Sequence, residues 1–547
     1  MQLPISNAAT QLRLVHPAED LPLSVPHPGV RTMPRRRSAV AEGALATAAL
    51  AVMALLIHGY HPYAEDGGLY VSAILKALHP SLYPRWGEFV TVQMQYSLFP
   101  GLMAELIRAS GLRVSVMVFL LHILSIWATL FGGWLVAARC YASRQARYGA
   151  VSLLALWLTI PIAGTSLLLM DPYLTARSIS TPCGVLALAA ALDMAAAIRR
   201  GGPLPWRSVA GCLFCLILAC SVHPLMGGFT VCLMALLLAF SAPHAKTRVL
   251  WGAGFCLLGV AVSACLYWFG PIATANYFRV EHTRTYWFLH NWHWYEIAGL
   301  LSPLLVVELL TQRKMRRGRD ASRWIAHMAV AAGLTAMLVA LLFAGHSSRS
   351  YEVARMQPLR IFHLIYIAMI LIVGGTVGER LLVRRPWRWA ALFLLFGGLM
   401  FYVQRCTFPA SGQLELPWST PRNQWEKAFL WIRGNTPRQA LFALDANYIT
   451  KPGEDAQYFR AVARRSALAD YSKDGGLAAI DPQLADAWTQ AEKAQAALDT
   501  ETDARRISVL RPLGVSWIVL PSAVSTAFSC PYRNALAKVC LLPEGLR

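Results

Sequence analysis

Glu65 and Asp66 stand side by side in the segment HPYAEDGGLY, residues 61–70, directly after the first long apolar run of the chain. Adjacent carboxylates repel each other and stay hydrated, so they are poor structural glue. They suit taking a proton, or holding a hard cation such as Mg or Mn through oxygen. The same Glu-Asp-Gly-Gly string also makes an ordinary solvated turn. Other segments carry related chemistry. DPYLTARS, residues 171–178, offers a further acid, Asp171, and an anion contact, Arg177, although a capped turn uses the same residues. His223-Pro224 joins two apolar runs, where His223 can move a proton, meet a phosphate, or close a hairpin on its own backbone. Arg349, Arg355 and Arg360 fall close together. Their guanidinium forks match phosphate geometry, while headgroup anchoring or pairing with Glu352 would occupy them too. The aromatic segment 277–295, with Tyr286, Trp287 and Trp292, can stack on sugar faces or sit in an interfacial belt.

A membrane must position these groups. The chain has 547 residues, 56% hydrophobic and 14% charged. A soluble domain is nearer 45–50% apolar and about 25% charged. The apolar residues come in runs of roughly 17–25, the length that crosses a bilayer as helix. About eleven spans are predicted, at 38–58, 114–138, 148–170, 183–198, 208–222, 225–241, 249–269, 296–311, 324–343, 361–378 and 387–403. Every second connection is basic, from Arg35-Arg36-Arg37 through Arg139, Arg144 and Arg147, then Arg199, Arg200 and Arg207, Lys246 and Arg248, Arg313 to Arg319, and Arg380 to Arg388. That alternation puts the N-terminus in the cytoplasm and the other connections outside, the acidic pair among them. The net charge of +21 therefore reads as topology and anionic-lipid contact, with no nucleic-acid partner.

Residues 1–37 are predicted as a disordered basic cytoplasmic N-terminus, and 38–58 as an uncleaved anchor. Residues 38–403 form the membrane domain. Its outer loop 59–113 carries amphipathic interfacial helices near 69–79 and 98–110, with Tyr83, Trp86, Tyr96 and Phe99 as anchors. Residues 404–547 alternate strand-like runs (440–446, 466–470, 515–521, 539–542) with helical ones, which predicts a small extracytoplasmic α/β soluble domain. Eight of the eleven cysteines lie in or beside apolar runs; Cys530 and Cys540 could pair if the C-terminal region is exported.

This layout resembles the GT-C superfamily of membrane glycosyltransferases, whose first outer loop carries an acidic pair. HPYAEDGGLY, DPYLTARS, SVHPLMGG and WIRGNTPRQALF are similar to segments of bacterial multi-pass GT-C-like proteins without an assigned reaction. The resemblance implies a polyprenyl-phosphate- or diphosphate-linked sugar donor, a glycan, lipid or protein acceptor, and work on the non-cytoplasmic, periplasmic face of a bacterial inner membrane. It implies that Asp66, ahead of Glu65, is the base, or that both hold a divalent metal. The donor phosphate would meet Arg349, Arg355 or Arg360, with Arg177 and His223 as further contacts and Asp171 as an accessory acid. Tyr286, Trp287 and Trp292 would stack on sugar. The Trp-Trp-Asp motif of oligosaccharyltransferases is missing; Asn291-Trp292-His293-Trp294 is the nearest string. Two other classes stay open. A lipid or polysaccharide transporter or flippase would place ionisable groups near the membrane midplane, whereas Asp193 and Glu308 fall near span ends. A non-catalytic envelope-assembly protein would keep the shell without the chemistry.

Overall fold

The computed structural model describes residues 36–312, 320–345 and 349–543. The N-terminal segment through Arg35, the cluster Arg313 to Arg319, and His346 lie outside the described residues. Residues 36–42 open the helix Arg36–His58, and residues 43–547 group into one compact unit.

Among the described residues, nine helices are long and apolar enough to cross a membrane: Val40–His58, Val114–Cys140, Ala176–Arg199, Pro224–Ser241, Ala245–Phe269, Trp294–Gln312, Asp320–Phe343, Glu352–Leu382 and Pro386–Thr407. A tenth apolar helix, Trp206–Val222, is shorter. The chain is a polytopic α-helical membrane protein. Of the eleven expected spans, the two outside this set are 208–222, which is that shorter helix, and 148–170. The run 148–170 divides: helix Arg144–Leu156 stops, and Pro161–Ile162 pairs antiparallel with Leu167–Leu168. Pro161 has no amide N–H to donate, and Gly164 turns the chain at φ +61°, a conformation open to a residue without Cβ.

Two boundaries matter for chemistry. The helix expected from residue 69 begins at Glu65 and runs to Leu78, so both acids sit in its first turn. The helix Glu352–Leu382 is broken near its start, where Gln357 takes φ +48° and Pro358–Ile361 makes a tighter 3-10 turn holding Arg360.

The C-terminal region builds a five-stranded sheet in the order Ser466–Ala467, Leu441–Ala443, Trp517–Pro521, Ala537–Leu541, Tyr532–Arg533. The first three strands are parallel, with Phe442 opposite both Ala467 and Trp517; the last two pairings are antiparallel. Three of the four apolar runs read as strands contain one, the fourth, 539–542, overlaps the strand Ala537–Leu541, and Tyr532–Arg533 is an addition that two residues of pattern could not signal. Cys530 and Cys540 are disulfide-bonded.

Candidate functional site

Three stretches distant in sequence meet at the first turn of helix Glu65–Leu78. Gly67 and Gly68 permit the approach. A Cβ on Gly67 would lie 2.8 Å from the Tyr173 side chain, and one on Gly68 would lie 2.3 Å from that of Tyr458. Backbone bonds fix the same junction: His61 N–H donates to the Pro172 carbonyl (2.8 Å) and Tyr458 N–H to the Tyr63 carbonyl (2.9 Å). Glu65 takes φ +49°, which is unfavourable for a residue with a Cβ and persists where surrounding packing imposes it.

The result is a chain of alternating charges. Lys473 Nζ bonds the Glu65 carboxylate and lies 3.3 Å from Asp66 Oδ1. Arg177 Nη2 lies 3.7 Å from Asp66 Oδ2 and 2.7 Å from Asp171 Oδ2. Asp66 keeps 36% of its side chain exposed, whereas Asp171 keeps only 5%. Burial alone would raise the Asp66 carboxyl, but Lys473 and then Arg177 outweigh it and hold the group down at about 2. Asp171 goes the other way, raised by its deeper burial in spite of Arg177. Two neighbouring acids thus have divergent proton affinities, as sites that move protons often do. Tyr70, one helical turn after Asp66, is pushed up to about 12 by burial and so keeps its proton.

Lys473 is the residue that sequence reading missed. It opens helix Lys473–Ile480, and its N–H donates to Asp470 Oδ1 at 2.6 Å. Its loop is pinned from two sides. Asp474, fully buried, takes bonds from Arg460 and from Tyr458 Oη (2.8 Å) and accepts the Asp470 N–H (2.9 Å). Arg284, from the aromatic segment, donates to the carbonyls of Ser472 (2.7 Å) and Tyr471 (3.0 Å). Arg284 of that segment thus supports the Lys473 loop. Trp287 is 4% exposed within the core, and Trp292 packs on Gly164 with its indole N–H on the Tyr286 carbonyl (3.2 Å). A ring that stacks on sugar needs an open face, which Trp287 lacks. Tyr286 lies within electrostatic reach of Arg360.

The arginine trio separates. Arg360 lies within electrostatic reach of Asp66, Arg177 and Tyr70, and its Nε is buried without a hydrogen-bond partner among the described residues. Arg355 pairs with Glu352 and donates to the Ile480 carbonyl (3.3 Å), so it ties the membrane helix to the C-terminal region. Arg349 is exposed. His223 caps the hairpin between Trp206–Val222 and Pro224–Ser241: its N–H donates to Ala219 and its carbonyl accepts from Gly227, both at 2.9 Å. Its ring is pushed down to about 3 by burial, then by Arg177 and Arg360, so it is neutral at pH 7. His363 bonds the Leu169 carbonyl at 2.9 Å, steadying the stretch that leads to Asp171.

As for a divalent metal on Glu65 and Asp66, both carboxylates already share the Lys473 ammonium, and Asp171 is engaged by Arg177. Among the described residues no group of three or more His, Cys, Asp or Glu side chains could hold a metal ion. The residues present do not fit such a metal.

A second acidic cluster lies behind the segment 60–63. Gln457 Nε2 donates to Glu415 (3.1 Å) and Glu426 (3.3 Å), and His61 Nδ1 lies 3.4 Å from Glu415. Burial pushes both glutamates up to about 8. A carboxyl with a raised folded value holds its proton better folded than unfolded, so stability falls as pH rises from about 4.5 and levels off above about 8. Thermal unfolding in nanodiscs should show the melting temperature dropping between pH 6 and 9, with the slope flattened in a Glu415→Gln/Glu426→Gln protein. An identical slope in that variant would refute the assignment.

These features define the class: a multi-pass membrane protein with a clamped carboxylate at the junction of its membrane helices and a C-terminal α/β region. Two solved structures are similar. One is the archaeal oligosaccharyltransferase AglB from Archaeoglobus fulgidus in complex with an inhibitory peptide and a dolichol-phosphate, 11% identical over 89% of this chain and 69% of that one, with TM-score 0.46. The other is the Archaeoglobus fulgidus oligosaccharyltransferase in the apo form, 12% identical over the same shares, with TM-score 0.47. No family model matches the chain, and no curated protein matches it.

Proposed function

We propose that the chain is a GT-C-type glycosyltransferase. It would move a sugar from a polyprenyl-phosphate or polyprenyl-diphosphate carrier to an acceptor hydroxyl on the non-cytoplasmic face of the membrane. The observation that carries this reading is the ionised, partly open Asp66, set between Lys473 and Arg177 with Arg360 in reach. A transporter's ionisable groups would be expected inside the bundle; this cluster lies at helix ends, which favours the enzyme.

In this reading the donor phosphate meets Arg360, whose buried Nε lacks an acceptor, with Arg177 and neutral His223 close by. The acceptor hydroxyl enters beside Asp66. Its oxygen bonds the anomeric carbon, the bond from that carbon to the phosphate oxygen breaks, and the phosphate leaves with the electron pair. The hydroxyl proton ends on Asp66, and attack opposite the leaving group inverts the anomeric centre. A base held near 2 is weak at neutral pH. The geometry suggests the remedy: the longer of the two Lys473 contacts is to Asp66. An acceptor that displaces Lys473 from Asp66 onto Glu65 raises Asp66's proton affinity at the moment of transfer. The alternating basic connections support a cytoplasmic N-terminus and an outer C-terminal region.

The test is turnover of labelled polyprenyl-phosphate sugars by the full chain in nanodiscs, read as release of free polyprenyl phosphate. Arg360→Ala should raise the donor KM about tenfold or more with a smaller change in kcat, as expected when a charge-assisted phosphate contact is lost. EDTA should leave turnover unchanged. No turnover of any lipid-linked sugar, with lipid or glycan scrambled across the bilayer instead, would sink the proposal in favour of a transporter.

A further inference from the structure

The segment WIRGNTPRQALF, residues 431–442, has no part in the Asp66 clamp. Helix Gln424–Asn435 ends inside it. Arg465, 6% exposed, covers that helix end. Its Nη2 donates to the carbonyls of Arg433 (2.8 Å) and Thr436 (2.7 Å), its Nε to Thr436 Oγ1 (3.2 Å), and its Nη1 to the Arg464 carbonyl (3.1 Å). Every acceptor is neutral, and the carbonyl-rich helix end offsets only part of the charge.

These bonds gather further arginines. Arg433 and Arg438 lie within electrostatic reach of Arg465, and Arg433 within reach of Arg464. Arg464 takes φ +51°, and its Nε is buried without a hydrogen-bond partner among the described residues. Among those residues none of the four makes an ion pair, although carboxylates elsewhere in this region are paired. An exposed, solvated basic face accounts for Arg433 and Arg438. It does not account for Arg464, whose buried N–H faces no acceptor in a strained backbone state.

We propose that Arg433, Arg438 and Arg464 form an oxyanion site on the C-terminal region that takes a phosphate or diphosphate group. Planar forks from several directions suit a tetrahedral oxyanion, and a dianion relieves the mutual repulsion of the arginines. The site is separate from Asp66. Tyr63 lies within electrostatic reach of Arg433 and Arg464, as it does of Glu415 and Glu426. The site stands whether or not the chain transfers sugar.

Arginine footprinting with phenylglyoxal on the full chain, read by peptide mass spectrometry, tests it residue by residue. In phosphatidylcholine nanodiscs, inorganic pyrophosphate at ten times its Kd should slow modification of Arg433 and Arg438 about tenfold. Exposed Arg422 and Arg505 should be unaffected. Arg464→Lys, which keeps charge and loses the fork, should weaken the protection, and Arg360→Ala should keep it. Protection without pyrophosphate in phosphatidylglycerol nanodiscs assigns the phosphate to a lipid headgroup; protection only on adding pyrophosphate assigns it to a soluble ligand. Equal modification of Arg433, Arg438 and Arg422 under every condition overturns the proposal.

Discussion

Asp66→Asn should lower sugar transfer by about 10²–10⁴-fold, the usual worth of a positioned base, and leave the fold intact. Both halves follow from the same geometry. Removing a carboxylate from between two cations is ordinarily damaging, because the cations are left buried and unpaired. Here each cation has a second acid: Lys473 keeps Glu65, and Arg177 keeps Asp171. Asn preserves the shape, so the melting temperature in nanodiscs should shift little while kcat collapses. Glu65→Gln is the matched control. Among the described residues Glu65 pairs with Lys473 and with no other cation, and it is 43% exposed, so its loss should cost far less than that of Asp66. Transfer that survives Asp66→Asn undiminished would remove Asp66 from the chemistry and point to Asp171 as the base.

The acidic pair was legible because two adjacent carboxylates after an apolar run are rare in a chain with 14% charged residues. Asp171 and Arg177 were legible as a further acid and an anion contact, but not as partners of each other, and the helix that starts at Ala176 was expected only from 183. Arg360 could be named but not told apart from Arg349 and Arg355. What distinguishes it is the break at Gln357, a left-handed residue that nothing in a composition or hydropathy pattern announces. Lys473 was not legible at all. It opens a short helix in a polar stretch without a pattern of its own, 407 positions from Asp66, and the packing of two glycines against Tyr173 and Tyr458 helps bring that stretch to the acids. The expected span at 148–170 is helical only in part for a related reason: hydropathy cannot see that a proline and a glycine end the helix and turn the chain into a short hairpin. Spans report what is apolar, whereas the site depends on where backbone can pass close to backbone.

Lys473→Met should change the pH profile more distinctively than the rate. Asp66 must be ionised to take a proton. In the wild-type protein Lys473 is the largest favourable influence on that charge and keeps the group near 2, so no acid limb from Asp66 should appear down to about pH 4. Without the ammonium the carboxyl returns toward its ordinary value near 3.8, and half of kcat/KM should be lost as pH falls to about 4. Asp66 is partly exposed, so solvent screening places this as an upper limit on the displacement. Two effects on rate oppose each other. A base nearly two units stronger gains roughly tenfold, because proton transfer is only partial in the transition state. A carboxylate freed from its clamp loses orientation, and a misplacement of about 1 Å costs about 10²-fold. Orientation wins, for a net fall of about tenfold at pH 7. Lys473→Arg should restore the flat acid side, since charge suffices for that, but recover only part of the rate, since a planar fork cannot share one nitrogen between Glu65 and Asp66 as the ammonium does. If Lys473→Met slows transfer while leaving the acid side unchanged, Lys473 acts only by holding the C-terminal region in place and not through Asp66.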